Sequence, residues 1–130
     1  LEGFLIDKYL KVRTKHNILA AENALTLMMQ AEGNIDIKTL QSATNTTRKT
    51  LERAFSHHLG MHPKMYSRIV RFNAVKNRID NMTKTENMTS LALEFGFYDS
   101  SHFIAEFKYF SGLTPLVYLK NNLKDFTFIE

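Results

Sequence analysis

The chain has 130 residues, of which 44% are hydrophobic, and it contains no cysteine. This length and apolar content suffice for one compact domain or two small lobes, and they exclude an intrinsically disordered chain. The absence of cysteine excludes disulfides, thiolate catalysis and cysteine zinc sites, and it is typical of the reducing cytoplasm, where we expect the protein to reside. Five glycines, two prolines and apolar residues at helical spacing predict an all-α fold.

The positive charge of the chain is concentrated in its middle. The net charge is +4, whereas residues 38–84 alone carry ten Lys or Arg against Glu52 and Asp80, a local balance of +8. Such a patch is the usual electrostatic signature of a protein that binds a polyanion, although a solvated basic face without a partner is the alternative. No apolar run approaches the length of a membrane span, so we expect no membrane association.

The first segment, residues 1–16, holds a short apolar pattern followed by basic residues. We interpret it as the end of an upstream domain plus a linker. Asn17 can cap a first helix that runs to about Glu32, where Gly33 ends it. Five apolar residues are candidates for the buried side of this helix: Leu19, Ala20, Leu25, Met28 and Met29.

Residues 17–62 predict a first helix-turn-helix subdomain. A short helix over about residues 37–43 follows an Asp36 N-cap, and Asn45, which tolerates positive φ, makes the turn. Thr47 is the natural N-cap of the next helix, whose inward stripe is Leu51 and Phe55. The other side of that helix carries long polar side chains, which suit a recognition helix but also an ordinary solvated face: Arg48, Lys49, Glu52 and Arg53.

Residues 63–81 predict a single helix. Proline suits its first turn, and no other Gly or Pro interrupts it. Apolar residues on two adjoining faces predict that most of its circumference is buried. Nineteen residues span roughly 28 Å, comparable with the ~34 Å between major-groove faces one DNA turn apart. This length favours a connecting spacer.

Residues 82–123 repeat the pattern of the first subdomain. Its turn falls at Gly96, Asp99 or Ser100 caps its second helix, and a last helix opens at Pro115 and ends near Asn122, before a loose tail at residues 124–130. The chain is therefore an internal duplication. Four pairs of residues share one interval of 52 positions: Phe55 and Phe107, Gly60 and Gly112, Pro63 and Pro115, and Tyr66 and Tyr118.

The motifs resemble the DNA-binding domain of the AraC/XylS family of bacterial transcription regulators. The run LALEFGFYDSSHF at residues 91–103 carries most of the resemblance, together with GLTP at residues 112–115 and TRKTLERAF at residues 47–55. The resemblance covers about residues 18–122. It implies a seven-helix, two-lobed domain that inserts two recognition helices into successive major-groove segments of DNA.

The resemblance also implies partners and site residues. The partners are double-stranded DNA, RNA polymerase and an N-terminal sensor or dimerisation domain, and no cofactor is expected. Where Ile104 and Ala105 stand, the family often has a small polar residue followed by arginine, so we expect the first motif and the connecting helix to supply most of the affinity. By family position, base contacts fall to Lys49, Glu52, Arg53, Ser101, His102 and Ala105. Phosphate contacts fall to Thr47, Arg48, Arg71, Ser100 and Lys108.

Two other functions compete with DNA recognition. An enzyme is disfavoured, because the chain has no Gly-rich phosphate loop, nucleophile elbow or cysteine. Three histidines invite a metal site, but adjacent helical residues point about 100° apart and no carboxylate cluster lies nearby, so we expect no metal at His57, His58 or His62. The second alternative is a helical protein-interaction module with the same fold and little DNA affinity, which the weak charge of the second motif favours.

Overall fold

The computed structural model describes residues 2–129, with side chains at residues 3, 5–8, 11 and 15–123. This part of the chain forms seven helices and no strand, which confirms the all-α prediction. The backbone divides into two compact units, unit 1 at Leu1–Arg68 and unit 2 at Ile69–Glu130. The helices are α1 (Glu2–Gln30), α2 (Ile37–Thr44), α3 (Arg48–Leu59), α4 (Pro63–Asp80), α5 (Met88–Glu94), α6 (Ser100–Ser111) and α7 (Pro115–Ile129).

Unit 1 is built around α1, which packs against both α2 and α3. The predicted inward stripe of α3 is confirmed, because Leu51 and Phe55 are fully buried. Tyr66, in the first turns of α4, packs edge-to-face on Phe55 with the ring centroids 6.0 Å apart. The buried core of this unit consists of Ala21, Ala24, Met28, Leu40, Leu51, Ala54 and Phe55.

The start of α1 differs from its prediction. The helix begins at Glu2, so Asn17 lies inside it and the predicted N-cap at Asn17 is wrong. No Pro lies in this stretch, and a single Asn costs a helix interior only a few tenths of a kcal/mol, about 0.7 at most. The candidates for the buried side divide: Ala20 and Met28 are buried, Leu25 is half-buried, and Leu19 and Met29 are exposed.

Unit 2 has an aromatic core in which α6 packs against α5 and α7. Phe97, Phe103 and Phe107 contact one another in series, with ring centroids 5.2 Å and 6.2 Å apart. The later turns of α4 add Val75 and Ile79 to this cluster. Because each aromatic side chain removes a large apolar area from water, these three rings contribute strongly to the stability of the unit.

Asp80, the last residue of α4, fixes α7 within unit 2. The Tyr118 hydroxyl donates to Asp80 Oδ1 at 2.7 Å, the Asn122 amide donates to the same oxygen at 2.9 Å, and the Lys76 ammonium pairs with Oδ2 at 2.9 Å. Since the Asn122 side chain bonds to α4, it does not compete for the backbone of its own helix. α7 continues to Ile129, so the predicted helix end near Asn122 is wrong, while the side chains of residues 124–130 lie outside the described residues.

Acid should weaken unit 2 through Asp80. Partial burial opposes ionisation of this carboxyl, but hydrogen bonds from Tyr118 and Lys76 outweigh it and lower the pKa of Asp80 below its ordinary value. A carboxyl whose folded pKa is depressed stabilises the fold above its unfolded pKa, about 3.9, and loses this contribution as the pH falls through the folded pKa. We therefore expect Asp80→Asn to be less stable than wild type at pH 7, with the difference shrinking below about pH 4.

Urea unfolding at pH 7 and at pH 3 measures this difference. Tyr118→Phe is the companion variant, because it removes one hydrogen-bond donor to Asp80 and keeps the ring. It should reduce the same acid-sensitive contribution in part. A stability difference between wild type and Asp80→Asn that stays constant over this pH range contradicts the role given to Asp80.

Candidate nucleic-acid interface

Both helix-turn-helix motifs turn at a residue in the left-handed region. Asn45 has a φ of 52° and Gly96 a φ of 77°, as predicted for both turns. The same backbone hydrogen bond closes each turn: Thr46 N–H donates to the Gln41 carbonyl at 3.0 Å, and Phe97 N–H donates to the Ala92 carbonyl at 3.0 Å. The two copies therefore share their backbone geometry at the turn, and not only a sequence pattern.

Each helix after the turn begins at a side-chain cap. Thr47 Oγ1 accepts a hydrogen bond from the Thr50 N–H at 3.1 Å at the start of α3, which confirms the predicted cap. Asp99 Oδ1 accepts one from the His102 N–H at 2.7 Å at the start of α6. Of the two candidates for the second cap, Asp99 is therefore correct. A cap fixes the first turn of its helix, so the side chains that follow it have a defined direction.

The outward side of α3 is charged. We define the α3 face as four residues at the helical spacing i, i+3, i+4 and i+7: Lys49, Glu52, Arg53 and Ser56. Glu52 is half-buried and the other three are exposed. The buried side of the helix is apolar, so this face points away from the core of unit 1.

Arg48 lies beside the α3 face and pairs with Glu52. Its Nε is 3.0 Å from Glu52 Oε1, and the two side chains are 71% and 36% exposed. An exposed pair of this kind contributes about 0–1 kcal/mol. By family position, Arg48 is expected at phosphate and Glu52 at a base edge, and in the unbound chain the two side chains form an ion pair with each other.

The outward side of α6 is nearly uncharged. We define the α6 face as the four residues found 52 positions after the α3 face: Ser101, Ile104, Ala105 and Lys108. All four are exposed. Serine and alanine replace the lysine and arginine of the α3 face, and isoleucine replaces its glutamate. One cation remains on this face, toward the C-terminal end of the helix.

Three further residues assigned to DNA lie around these faces. Thr47 is exposed and Ser100 is half-buried, each at the N-terminal end of its helix. His102 is exposed, and its ring lies edge-on to Phe97 with the centroids 5.3 Å apart. It stands beside the α6 face, about 100° around the helix from Ser101.

Arg71, assigned to phosphate, is half-buried in unit 2. Its guanidinium carbon lies 5.0 Å from the centroid of the Phe97 ring, a cation–π contact. Burial lowers the pKa of Arg71, while the charge of Glu106 acts in the opposite direction. The side chain therefore has interactions in the unbound chain that a phosphate contact would replace.

Two other cations of α4 are also engaged within unit 2. Lys76 pairs with Asp80, and Arg78 pairs with Glu86 at 2.9 Å and with Glu94 at 3.4 Å. The basic stretch that the sequence predicts is consequently less available than its charge count indicates. The cations of this stretch that remain exposed to solvent include Lys49 and Arg53 on α3.

Two exposed aromatic residues near α6 are absent from the assigned set. Tyr98 is 88% exposed and directly precedes the Asp99 cap, and Tyr109 is 65% exposed on α6. The sequence could have predicted that both side chains are exposed, because neither residue belongs to the inward stripe formed by Phe103 and Phe107. Tyr98 and Tyr109 therefore leave two large aromatic side chains exposed to solvent near α6.

The described residues offer no group of three or more His, Cys, Asp or Glu side chains that could hold a metal ion. His57 and His58 are exposed and contact each other, with ring centroids 4.7 Å apart. In the same part of the chain, no helix combines the length and the apolar character needed to cross a membrane.

Two capped helix-turn-helix motifs in one all-helical chain define a double helix-turn-helix protein. A family model described as a helix-turn-helix domain matches residues 40–121, and the chain belongs to the AraC-type helix-turn-helix family. It is similar in fold to the crystal structure of a transcriptional regulator of the AraC-type DNA-binding domain-containing proteins from Chromobacterium violaceum. That likeness has a TM-score of 0.70 and 22% identity, and it covers 79% of this chain and 91% of the other. No curated protein matches the sequence.

Proposed function

We propose that this chain is the DNA-binding domain of a bacterial transcription regulator and that it recognises a specific sequence, with α3 and α6 entering successive major-groove segments. The α3 face carries this proposal. It presents two cations and a carboxylate on an exposed surface of a helix that a helix-turn-helix turn and a cap hold in place. In such motifs, residues in the first turns of the second helix contact base edges. The family and the fold, which are those of DNA-binding transcription regulators, support the same function.

α3 supplies most of the base contacts in this proposal. Arg53 and Lys49 donate to guanine O6 and N7, and Glu52 accepts from the cytosine N4 amine. A good bidentate pair provides about 1–3 kcal/mol of discrimination against the wrong base. Thr47 and Arg48 contact phosphate at the N-terminal end of the helix, which fixes the register without reading sequence.

α6 contributes shorter and less charged contacts. Ser101 and His102 form hydrogen bonds with base edges, and Ala105 packs against a thymine methyl group. Ser100 and Lys108 contact phosphate. Residues 85–123 carry two lysines against four carboxylates, so unit 2 adds little electrostatic affinity.

Arg71 contacts phosphate in this proposal, and any movement away from the Phe97 ring costs the cation–π contact. The energy of that cation–π contact reduces the affinity that the guanidinium can add. In the full-length regulator, the partners in this proposal are RNA polymerase and an N-terminal sensor or dimerisation domain.

The salt dependence of duplex binding tests the proposal. The logarithm of the affinity should fall linearly with the logarithm of the salt concentration, with a slope of about −0.9 for each phosphate contact. Three of the proposed phosphate contacts are made by cations, Arg48, Arg71 and Lys108, so the affinity for random duplex should fall roughly fortyfold between 50 and 200 mM salt. Titration by fluorescence anisotropy at four salt concentrations measures the slope.

Arg48→Ala and Lys76→Ala form the matched pair for this titration. Arg48→Ala should reduce the magnitude of the slope by about 1, because it removes a phosphate contact. Lys76→Ala removes the same formal charge from a position that has no DNA contact in this proposal, so the slope should stay unchanged. The absence of measurable affinity at 50 mM salt would overturn the proposal and favour the protein-interaction module.

A further inference from the structure

The α3 face and the α6 face occupy equivalent positions on equivalent helices and differ in chemistry. Every residue of the α3 face carries a charge or a hydroxyl group, whereas Ile104 and Ala105 leave the centre of the α6 face apolar. Ile104 remains 37% exposed, although it is a large apolar side chain on a helix with a well-filled inner side. The core of unit 2 therefore does not account for its outward position.

We propose that the α6 face recognises thymine by its methyl group, with Ile104 as a specificity-determining residue beside Ala105. The DNA under α6 then contains T·A pairs at the positions that these two side chains touch. This inference rests on the proposed function, because it requires α6 to enter the major groove.

The chemistry of the groove supports this pairing. The C5 methyl of thymine is the apolar group that the four bases present in the major groove, and guanine and cytosine present acceptors and an amine donor there. A contact between Ile104 and a thymine methyl removes apolar surface from water on both partners. A G·C pair in the same place would lose its water to an apolar side chain and gain no hydrogen bond, so it would be rejected.

The neighbours of Ile104 favour DNA over a protein partner. Ser101 and Lys108 flank it on the same face, and both are exposed groups that can bond to phosphate or to a base edge. The apolar centre consists of two side chains, one of them alanine, while a stable protein interface takes about 20–30 residues from each partner. The small patch fits one or two methyl groups.

Replacing single thymines by deoxyuridine tests the inference, because uracil differs from thymine in the missing methyl group alone. The DNA is a duplex obtained by binding-site selection with the whole chain. Each thymine of this duplex is replaced in turn, and the dissociation constants of wild type, Ile104→Ala and Ile104→Val are measured. At one or two positions, wild type and Ile104→Val should bind about fourfold more weakly, the value of one buried methyl group.

At the position that Ile104 touches, Ile104→Ala should respond to the replacement less than twofold, because the contact is already lost. Circular dichroism confirms that the variants are folded. Sequence-specific binding in which no replacement distinguishes wild type from Ile104→Ala overturns the inference, and assigns the α6 face to backbone contacts or to a protein partner. A failure to select any duplex instead overturns the proposed function, so the two failures are distinct.

Discussion

Replacing Arg53 by alanine should weaken binding to the cognate sequence far more than binding to random duplex. Arg53 is exposed near the middle of the α3 face, and the Thr47 cap fixes the helix that carries it. Loss of a bidentate contact to guanine costs about 1–3 kcal/mol, or roughly fivefold to 150-fold in the ratio of cognate to random affinity. Binding-site selection, followed by dissociation constants for the selected and a scrambled duplex, measures this ratio.

Arg48→Ala is the control for this experiment. It removes the same charge from the same helix, but at a position proposed to contact phosphate. Both affinities should then fall by a similar factor, and the ratio between them should stay near that of wild type. Selection of one and the same sequence by wild type and by Arg53→Ala would show that Arg53 reads no base.

Replacing Phe103 by alanine should destabilise the chain more than any surface substitution. Phe103 is fully buried and contacts the rings of Phe97 and Phe107. Truncation of a buried phenylalanine costs about 3–5 kcal/mol, because apolar contact is lost and a cavity remains. A small domain is stable by about 5–15 kcal/mol, so much of the stability of unit 2 should disappear.

Tyr98→Ala provides the comparison for this loss of stability. It also deletes an aromatic side chain from unit 2, but one that is 88% exposed. Its free energy of unfolding should stay within about 0.5 kcal/mol of wild type. Urea unfolding followed by circular dichroism measures both variants. If Phe103→Ala loses no more than Tyr98→Ala, Phe103 is not central to the core.

The caps and turns were predictable from the sequence, because they depend on residues within a few positions of each other. Asp36 accepts a hydrogen bond from the Thr39 N–H at 2.7 Å, and Thr47 and Asn45 behave as their residue types predict. Side-chain oxygen near a helix start and a residue that tolerates positive φ suffice for these features. The repeat then extends the same prediction to unit 2.

The start of α1 and the end of α7 were not predictable from neighbouring residues, because no Gly or Pro lies beside Asn17 or Asn122. Asn17 and Asn122 are weak helix formers, and both lie within longer helices. A residue that can cap a helix ends it only when the backbone gains from stopping there, and neither position is followed by Gly or Pro. At Asn122 the side chain bonds to Asp80, a partner far away in the sequence.

The candidate site also has features that local sequence predicts and features that depend on distant residues. Helical spacing alone placed Lys49 and Arg53 on one exposed face. It could not show that Arg71 is half-buried against Phe97, since that contact joins α4 to a turn that lies distant in the chain. The pair between Arg48 and Glu52 has the i, i+4 spacing of a helical ion pair and was therefore accessible to sequence reasoning.

If Arg48 contacts phosphate as proposed, the Glu52 carboxylate competes with DNA for the same guanidinium. A phosphate that takes the Arg48 Nε–H from Glu52 leaves this carboxylate beside a polyanion. DNA of random sequence offers the Glu52 carboxylate no hydrogen-bond donor in place of Arg48. A cytosine amine within reach of Glu52 would donate a hydrogen bond to the carboxylate and offset this repulsion. In this proposal, one acidic side chain shortens binding to non-cognate DNA and spares binding to the correct sequence.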